Sequence, residues 1–359
     1  MKKKVLFVMH ELRLGGAERV MVNLANNFED ENTEVHFCIF RNRGQLISSL
    51  APNIEFHCLN SSRVLTGTYS LAKLILKIQP DLILSSITHV NLLLSILKIF
   101  PGFRKFNFVS REPNNPSIRA KHIKKSKLLD TLYSRTINNF NKVIAQSEYM
   151  KEDILNSYKI RERKIKVIPN PLDTGYIDWK LMQKNDSPLF PSNKIKLLAV
   201  GGLRKQKNFS FLVESMKHLN EKFHLTIIGE GEERNLLEEV ISENGLADKV
   251  TLLGEISNPY IYMEEADLLC MTSHYEGFPN VVLEANYCGT FALALRAPGV
   301  NEEVIINEVN GVLVEDYDKK HFSAMVEKYS QQKFSKQEIK NTIERYKVKN
   351  IVKKYKELI

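Results

Sequence analysis

The chain lacks any apolar run of the roughly 18 to 20 residues that a membrane-spanning helix needs. Its opening, MKKKVLFVMHELRLGGAE, places three lysines before a short apolar run, as a secretory leader does. That run stops at His10 and Glu11, and no small-residue cleavage site follows. It reads as a first buried strand in a cytoplasmic protein. The four cysteines, Cys38, Cys58, Cys270 and Cys288, are scattered, with no C-x-x-C pair and no clustered histidines. A disulfide framework or a structural zinc centre is therefore not expected, and the thiols read as buried and reduced. The glycines form no G-x-G-x-x-G, so a dinucleotide fingerprint is missing as well.

What remains is a soluble globular composition, 43% hydrophobic and 26% charged, over 359 residues. That length exceeds one ordinary core and fits two domains. The net charge of +9 is unevenly spread. Arg104, Lys105, Arg111, Arg119, Lys121, Lys124, Lys125 and Lys127 are opposed only by Glu112. A solvated basic helix explains this run; a surface for anionic lipid or a phosphorylated substrate explains it more sharply. No nucleic-acid motif accompanies the charge, and no nucleic-acid partner is expected.

Short apolar runs alternate with helical patterns through the first half: KVLFVM, EVHFCIF, IEFHCL, PDLILSS, FNFVS and KVIAQS. Such alternation predicts βαβ units and a parallel sheet. Residues 167–193, rich in Pro, Asn and Asp, read as a linker. The alternation restarts with IKLLAVG and continues through FHLTIIGEG, VTLLGEI, ADLLCMTS, FALALR and GVLVE. The expected fold class is α/β, two doubly wound Rossmann-like domains facing across a cleft, with ligands beyond the carboxyl ends of the strands.

Four stretches carry chemistry. Gly15 and Gly16, in RLGGAE, follow the first strand and open a helix whose unpaired amides suit a phosphate. Arg204 and Lys207, in VGGLRKQKNF, lie three apart after the first strand of the second half; on a helical turn they converge, as a clamp for a diphosphate does. Gly229 and Gly231 make another strand-end turn, where a base or ribose can pass close to the backbone and where turn sterics suffice too. In SHYEGFPNVVLEANYCGT, Glu276 and Glu284 are separated by seven residues. With a helix starting near Pro279, an exposed turn at Phe278 and Pro279 leads to Glu284 about two turns in, on the order of 10 Å from Glu276. Two carboxylates that far apart suit two pairs of hydroxyls, a sugar at one end and a ribose at the other. Sugar, diphosphate and ribose together describe a nucleotide sugar.

The combination of GGAE, R-x-x-K and E-x7-E resembles the family 4 retaining glycosyltransferases of the GT-B fold, over nearly the whole chain. The resemblance implies a hexosyltransferase that uses a UDP-hexose or UDP-N-acetylhexosamine and needs no metal. It implies an acceptor-binding domain over residues 1–172, a nucleotide-sugar domain over 173–340, and a helix over 341–359 packing back on the first domain. Glu284 would hold the donor ribose and Arg204 with Lys207 the diphosphate. Glu276, with the backbone of Gly277, Phe278, Pro279 and Asn280, would contact the transferred sugar, and Gly16 would approach the diphosphate. His89, in DLILSSITHVN, matches the strand that delivers a histidine in this family, and Arg111 with Glu112 at the next strand end become acceptor-side candidates. The chain departs from the family at Phe291, where proline usually follows Gly289-Thr290, and at Glu302-Glu303, where one acid is usual.

The reaction so implied is transfer to an acceptor hydroxyl with retention, by front-face attack. No D-x-D stands at a strand end; Asp316 and Asp318 lie in a late polar turn. An epimerase of the same architecture needs further acid-base groups, and a non-catalytic nucleotide-sugar-binding subunit would not need the clamp. The apolar Ile99, Phe100 and Phe103 beside Arg104, Lys105, Lys121, Lys124, Lys125 and Lys127 predict peripheral binding to anionic membrane on its inner face. A polyprenyl-diphosphate-linked glycan is then the expected acceptor.

Overall fold

The computed structural model describes residues 2–13, 15–122, 127–183 and 189–359. The chain forms two compact units, Met1–Pro171 with Tyr346–Ile359, and Leu172–Arg345.

In the first unit seven strands, β1 (Lys3–Met9), β2 (Thr33–Ile39), β3 (Glu55–Cys58), β4 (Leu82–Ser86), β5 (Asn107–Arg111), β6 (Lys142–Ala145) and β7 (Ile165–Val167), form one parallel sheet in the order β3-β2-β1-β4-β5-β6-β7. Side chains alternate between its two faces. Leu6 and Val8 join one buried cluster, and Val5, Phe7 and Met9 join another. A sheet covered on both faces explains why β1 is apolar without interruption from Val5 to Met9. Phe7 stacks on Phe37 at 5.8 Å and meets Phe28 edge-on at 5.6 Å, tying β1 to β2 and to the helix Gly16–Phe28. The closing helix Val348–Lys356 buries Val348, Ile351, Val352 and Tyr355, an i, i+3, i+4, i+7 stripe, against that same face.

The second unit repeats the plan with β8 (Ile195–Val200), β9 (Phe223–Ile228), β10 (Val250–Gly254), β11 (Leu268–Met271), β12 (Phe291–Leu295) and β13 (Gly311–Val314), in the order β10-β9-β8-β11-β12-β13. Each sheet therefore reverses direction once, between β1 and β4 and between β8 and β11. The stretch read as a linker, 167–193, contains the boundary between the two units but also regular structure. Ile165–Val167 is the seventh strand, and Thr174–Leu181 is a helix whose cap, Asp173, accepts from the Tyr176 amide at 3.0 Å. Among the described residues no helix is long and apolar enough to cross a membrane.

Candidate active site

The reversal between β8 and β11 brings two loops together. After β8, Lys205–Lys207 form one 3-10 turn, with Arg204 at its start. After β11, Thr272 donates to the carbonyls of Lys207 and Asn208 at 3.2 Å, and the His274 amide donates to the Gln206 carbonyl at 2.8 Å. The Gln206 side-chain amide donates to the Tyr275 carbonyl at 2.8 Å. These bonds place Lys207 Nζ 2.7 Å from Glu276 Oε1. The same oxygen accepts from Ser273 Oγ at 2.6 Å, while Oε2 receives a longer contact from Gln206 at 3.4 Å. Glu276's side chain is 9% exposed and Lys207's 21%, so this is a largely desolvated pair. Arg204 is exposed and forms no ion pair among the described residues. The R-x-x-K turn thus carries one paired cation, Lys207, and one exposed cation, Arg204.

The helix Asn280–Cys288 follows, with Pro279 at its N-cap and Gly289 ending it at φ +89°. The turn before it is not exposed: Phe278 is 7% exposed and Pro279 is buried. The apolar ring anchors the turn inward and leaves the backbone of Gly277 as its accessible part. Glu284 is half-buried on the second helical turn, facing away from the fully buried Val282, Leu283, Ala285 and Asn286. Burial first, and then the nearby Glu284 charge, push the Cys288 thiol up to about 12, so this cysteine stays protonated. The two glycines after β9 have a steric cause. A Cβ on Gly229, at φ +145°, would lie 2.0 Å from the Gly201 carbonyl oxygen, and one on Gly231 2.3 Å from that of Leu203. The departure at Phe291 is structural as well. Its ring, 1% exposed, stacks on Phe334 at 3.8 Å and on Tyr329 at 5.6 Å. Of the two acids near β13, Glu302 is held by Arg296, which also pairs with Glu315.

The first unit has its own reversal, between β1 and β4, and two histidines meet there. His10 directly follows β1. His89 lies in the first turn of the helix Thr88–Leu97 after β4, rather than on the strand itself. Between strand and helix, Ile87 turns the chain at φ +78°, unusual for a β-branched residue. The two rings meet edge to face at 5.0 Å. Burial, then His10, lowers His89 to about 4, so its imidazole is neutral at physiological pH. A cavity of about 370 Å³ opens beside the pair, lined mainly by Val64, Leu65, Leu92, Leu93, Ile96 and Leu129.

Arg111 and Glu112 stand at the end of β5 but point inward, 1% and 0% exposed. Arg111 donates to Ser86 Oγ at 3.3 Å and to Asn170; Glu112 accepts from Tyr133 and, at 3.3 Å, from Asn91. Burial raises the Glu112 carboxyl and lowers Arg111. Both side chains are thus buried and engaged within the first unit, Arg111 with the end of β4 and with Asn170, Glu112 with Tyr133 and Asn91. The Gln146 amide donates to the Glu112 carbonyl at 2.6 Å.

Residues 14–176 match the family model described as Glycosyltransferase Family 4, and residues 182–346 match the model described as Glycosyl transferases group 1. The chain belongs to glycosyltransferase family 4. Among relatives, a Campylobacter jejuni N-acetylgalactosamine-N,N'-diacetylbacillosaminyl-diphospho-undecaprenol 4-alpha-N-acetylgalactosaminyltransferase is 26% identical over 88% of this chain and 86% of its own. An uncharacterized glycosyltransferase of Methanocaldococcus jannaschii is 28% identical, and the match spans 69% of this chain but only 63% of that protein. The Anabaena HepE structure in complex with UDP superposes with a TM-score of 0.82 at 20% identity, covering 99% of both chains, which fixes the GT-B fold.

Within this family 4 glycosyltransferase, sequence reasoning missed Ser273, Gln206 and His10. Ser273 lies three residues before Glu276, and Gln206 stands inside R-x-x-K itself. His10 was visible as the first residue past β1. The basic run is smaller than its sequence suggests. Arg111 is buried, and Arg119 is engaged with Asp130, Thr88 and Tyr158. Phe103 is also buried, leaving Ile99, Phe100, Arg104 and Lys105 exposed. Lys124 and Lys125 lie outside the described residues, as do the side chains of Lys121 and Lys127.

Proposed function

We propose that this enzyme transfers a sugar, with retention, from a UDP-sugar to a hydroxyl of a lipid-linked glycan, without a metal, at the inner face of the membrane. The observation that carries the reading is the Lys207–Glu276 pair beside the exposed Arg204 at the reversal of the second sheet. A diphosphate entering there meets Arg204 first and competes with Glu276 for Lys207. As the sugar–phosphate bond breaks, charge grows on the diphosphate, and Arg204 and Lys207, already engaged with it, stabilise that charge. Glu276, released from Lys207 but still held by Ser273, then accepts from sugar hydroxyls. Glu284 takes the ribose hydroxyls from the next helical turn. A leaving phosphate oxygen receives the acceptor's proton, so no separate base is needed.

On the acceptor side, His10 and the neutral His89 exchange hydrogen bonds with sugar hydroxyls, and the adjoining apolar cavity suits a partly apolar acceptor. The undecaprenol-linked acceptor in the Campylobacter relative's name supports a polyprenyl-diphosphate glycan here. The test incubates purified protein with UDP-N-acetylgalactosamine, UDP-N-acetylglucosamine, UDP-galactose or UDP-glucose and measures UDP release with and without short polyprenyl-diphosphate glycans. Acceptor-dependent release, with an α-linked product by NMR, supports the reading. Epimerised donor without transfer replaces it with the epimerase, and UDP-sugar binding without release makes the chain a binding subunit.

A further inference from the structure

The edge of the first sheet brings together two histidines that lie far apart in the chain. In the parallel register of β2 and β3, His36 pairs with Glu55, and Cys38 with His57. Registered neighbours in a parallel sheet point to the same face, so His36, Glu55 and His57 converge there. His36 Nδ1 lies 3.2 Å from His57 Nε2 and 3.1 Å from Glu55 Oε2, and the third side of the triangle is 3.9 Å. Zinc held at about 2.0–2.1 Å by tetrahedral ligands separates neighbouring ligand atoms by about 3.3 Å. The three atoms therefore already lie near the corners of one tetrahedral face, and Glu55 is exposed to solvent.

The surroundings of His36 point the same way. His36 is 3% exposed, and both its nitrogens face carboxylates: Glu55 at Nδ1, and at Nε2 Glu34 Oε1, which lies 2.8 Å away without the alignment of a straight hydrogen bond. His36 Nδ1 thus faces a carboxylate oxygen and a second imidazole nitrogen at once, the neighbours that ligands around one shared cation have. A carboxylate behind the far nitrogen is also the usual support of a metal-bound histidine.

We infer that His36, Glu55 and His57 form a binding site for one divalent transition metal of the zinc class, with Glu34 orienting His36. Two imidazoles and one carboxylate suit zinc more than magnesium or calcium. The metal would staple the edge strand β3 to β2. It has no part in the transfer chemistry, because His36 sits mid-strand, away from the carboxyl end of the sheet.

The test uses untagged full-length protein, stripped with a chelator and titrated with Zn²⁺ or Co²⁺ alone. The inference expects one equivalent of Zn²⁺ bound per chain, a higher thermal midpoint on binding, and the intense visible bands of tetrahedral Co²⁺. His57→Ala and Glu55→Ala, both at the partly exposed edge and thus tolerable to folding, should each weaken binding at least about tenfold. They should leave the metal-free midpoint and the UDP-release activity unchanged. Absence of stoichiometric binding, octahedral Co²⁺ spectra, or affinity unchanged in both variants each overturns it.

Discussion

Removing the ammonium of Lys207 is the sharpest perturbation of the site. At 2.7 Å two unit charges attract by ~6 kcal/mol at an effective dielectric of about 20, before desolvation is subtracted. Breaking a buried pair by deleting one partner costs about 3–5 kcal/mol, because the other charge is left uncompensated. Here Ser273 still donates to Glu276, and water reaches the 21% exposed lysine position, so Lys207→Ala is expected to lose only about 2–3 kcal/mol. Glu276→Gln, which frees the lysine to reach water, should lose about 1–2 kcal/mol. In the double variant the loss should fall short of the sum by about 1–2 kcal/mol. The single tryptophan, Trp179, lies in the helix Thr174–Leu181 of the second unit, so its fluorescence in urea follows that unit alone. Additive losses, within about 0.5 kcal/mol, would refute the pairing. The same variants divide binding from chemistry. Lys207→Ala should lower kcat by on the order of 10²-fold while changing donor affinity less, since the diphosphate charge it meets grows only in the transition state. Loss of donor affinity with kcat unchanged would mean that Lys207 serves binding alone.

Glu284→Gln keeps the side chain's shape but weakens hydrogen bonds to ribose by about 1–3 kcal/mol, so donor KM should rise about 5- to 150-fold with kcat little changed; an unchanged KM removes the ribose role. The lowered His89 pKa favours protonation of the unfolded chain. The contribution of the neutral ring is therefore complete above about pH 6.5 and lost as pH falls toward about 4, and His89→Asn should flatten the first unit's stability–pH curve across that window. A curve of unchanged slope would show that the ring titrates normally. Charge reversal at Lys121, Lys124, Lys125 and Lys127 should abolish salt-sensitive sedimentation with anionic vesicles, at about 1 kcal/mol per charge, and spare UDP binding. A wild-type chain that ignores such vesicles at low salt discards the membrane reading and leaves the transferase reading standing.

How far the sequence reached depended on the distance over which each feature is encoded. The strands were legible because both faces of each sheet are covered, which writes an unbroken apolar run such as Val5–Met9 into the chain. Ile165–Val167 escaped because a three-residue strand beside proline and asparagine carries no such run, and Thr174–Leu181 because its apolar residues show no strong stripe. Phe278 was read as exposed from its neighbours Gly277 and Pro279, although tertiary packing decides where a turn's ring goes. The E-x7-E acids were visible because a turn and one helix fix their spacing locally. Their partner was not: Lys207 and Glu276 are 69 positions apart and meet only because β8 and β11 are neighbours.

That dependence on sheet order is itself usable. Both units share one order, so in each the first and fourth strands lie side by side while their following connections diverge, which opens a space at their carboxyl ends. In the second unit the residues just past those strands are the R-x-x-K turn and the Glu276 turn. In the first they are His10 and, after Ile87 and Thr88, His89. Treating the two halves as the same fold thus selects His10 from the sequence without any motif. Arg111, by contrast, is the last residue of the fifth strand, away from the reversal between the first and fourth. His36 lies outside that pattern, because it stands inside a strand, where a polar side chain must find its partners within the sheet. Its partners come from strand pairing, and register alone brings it to Glu55 and His57.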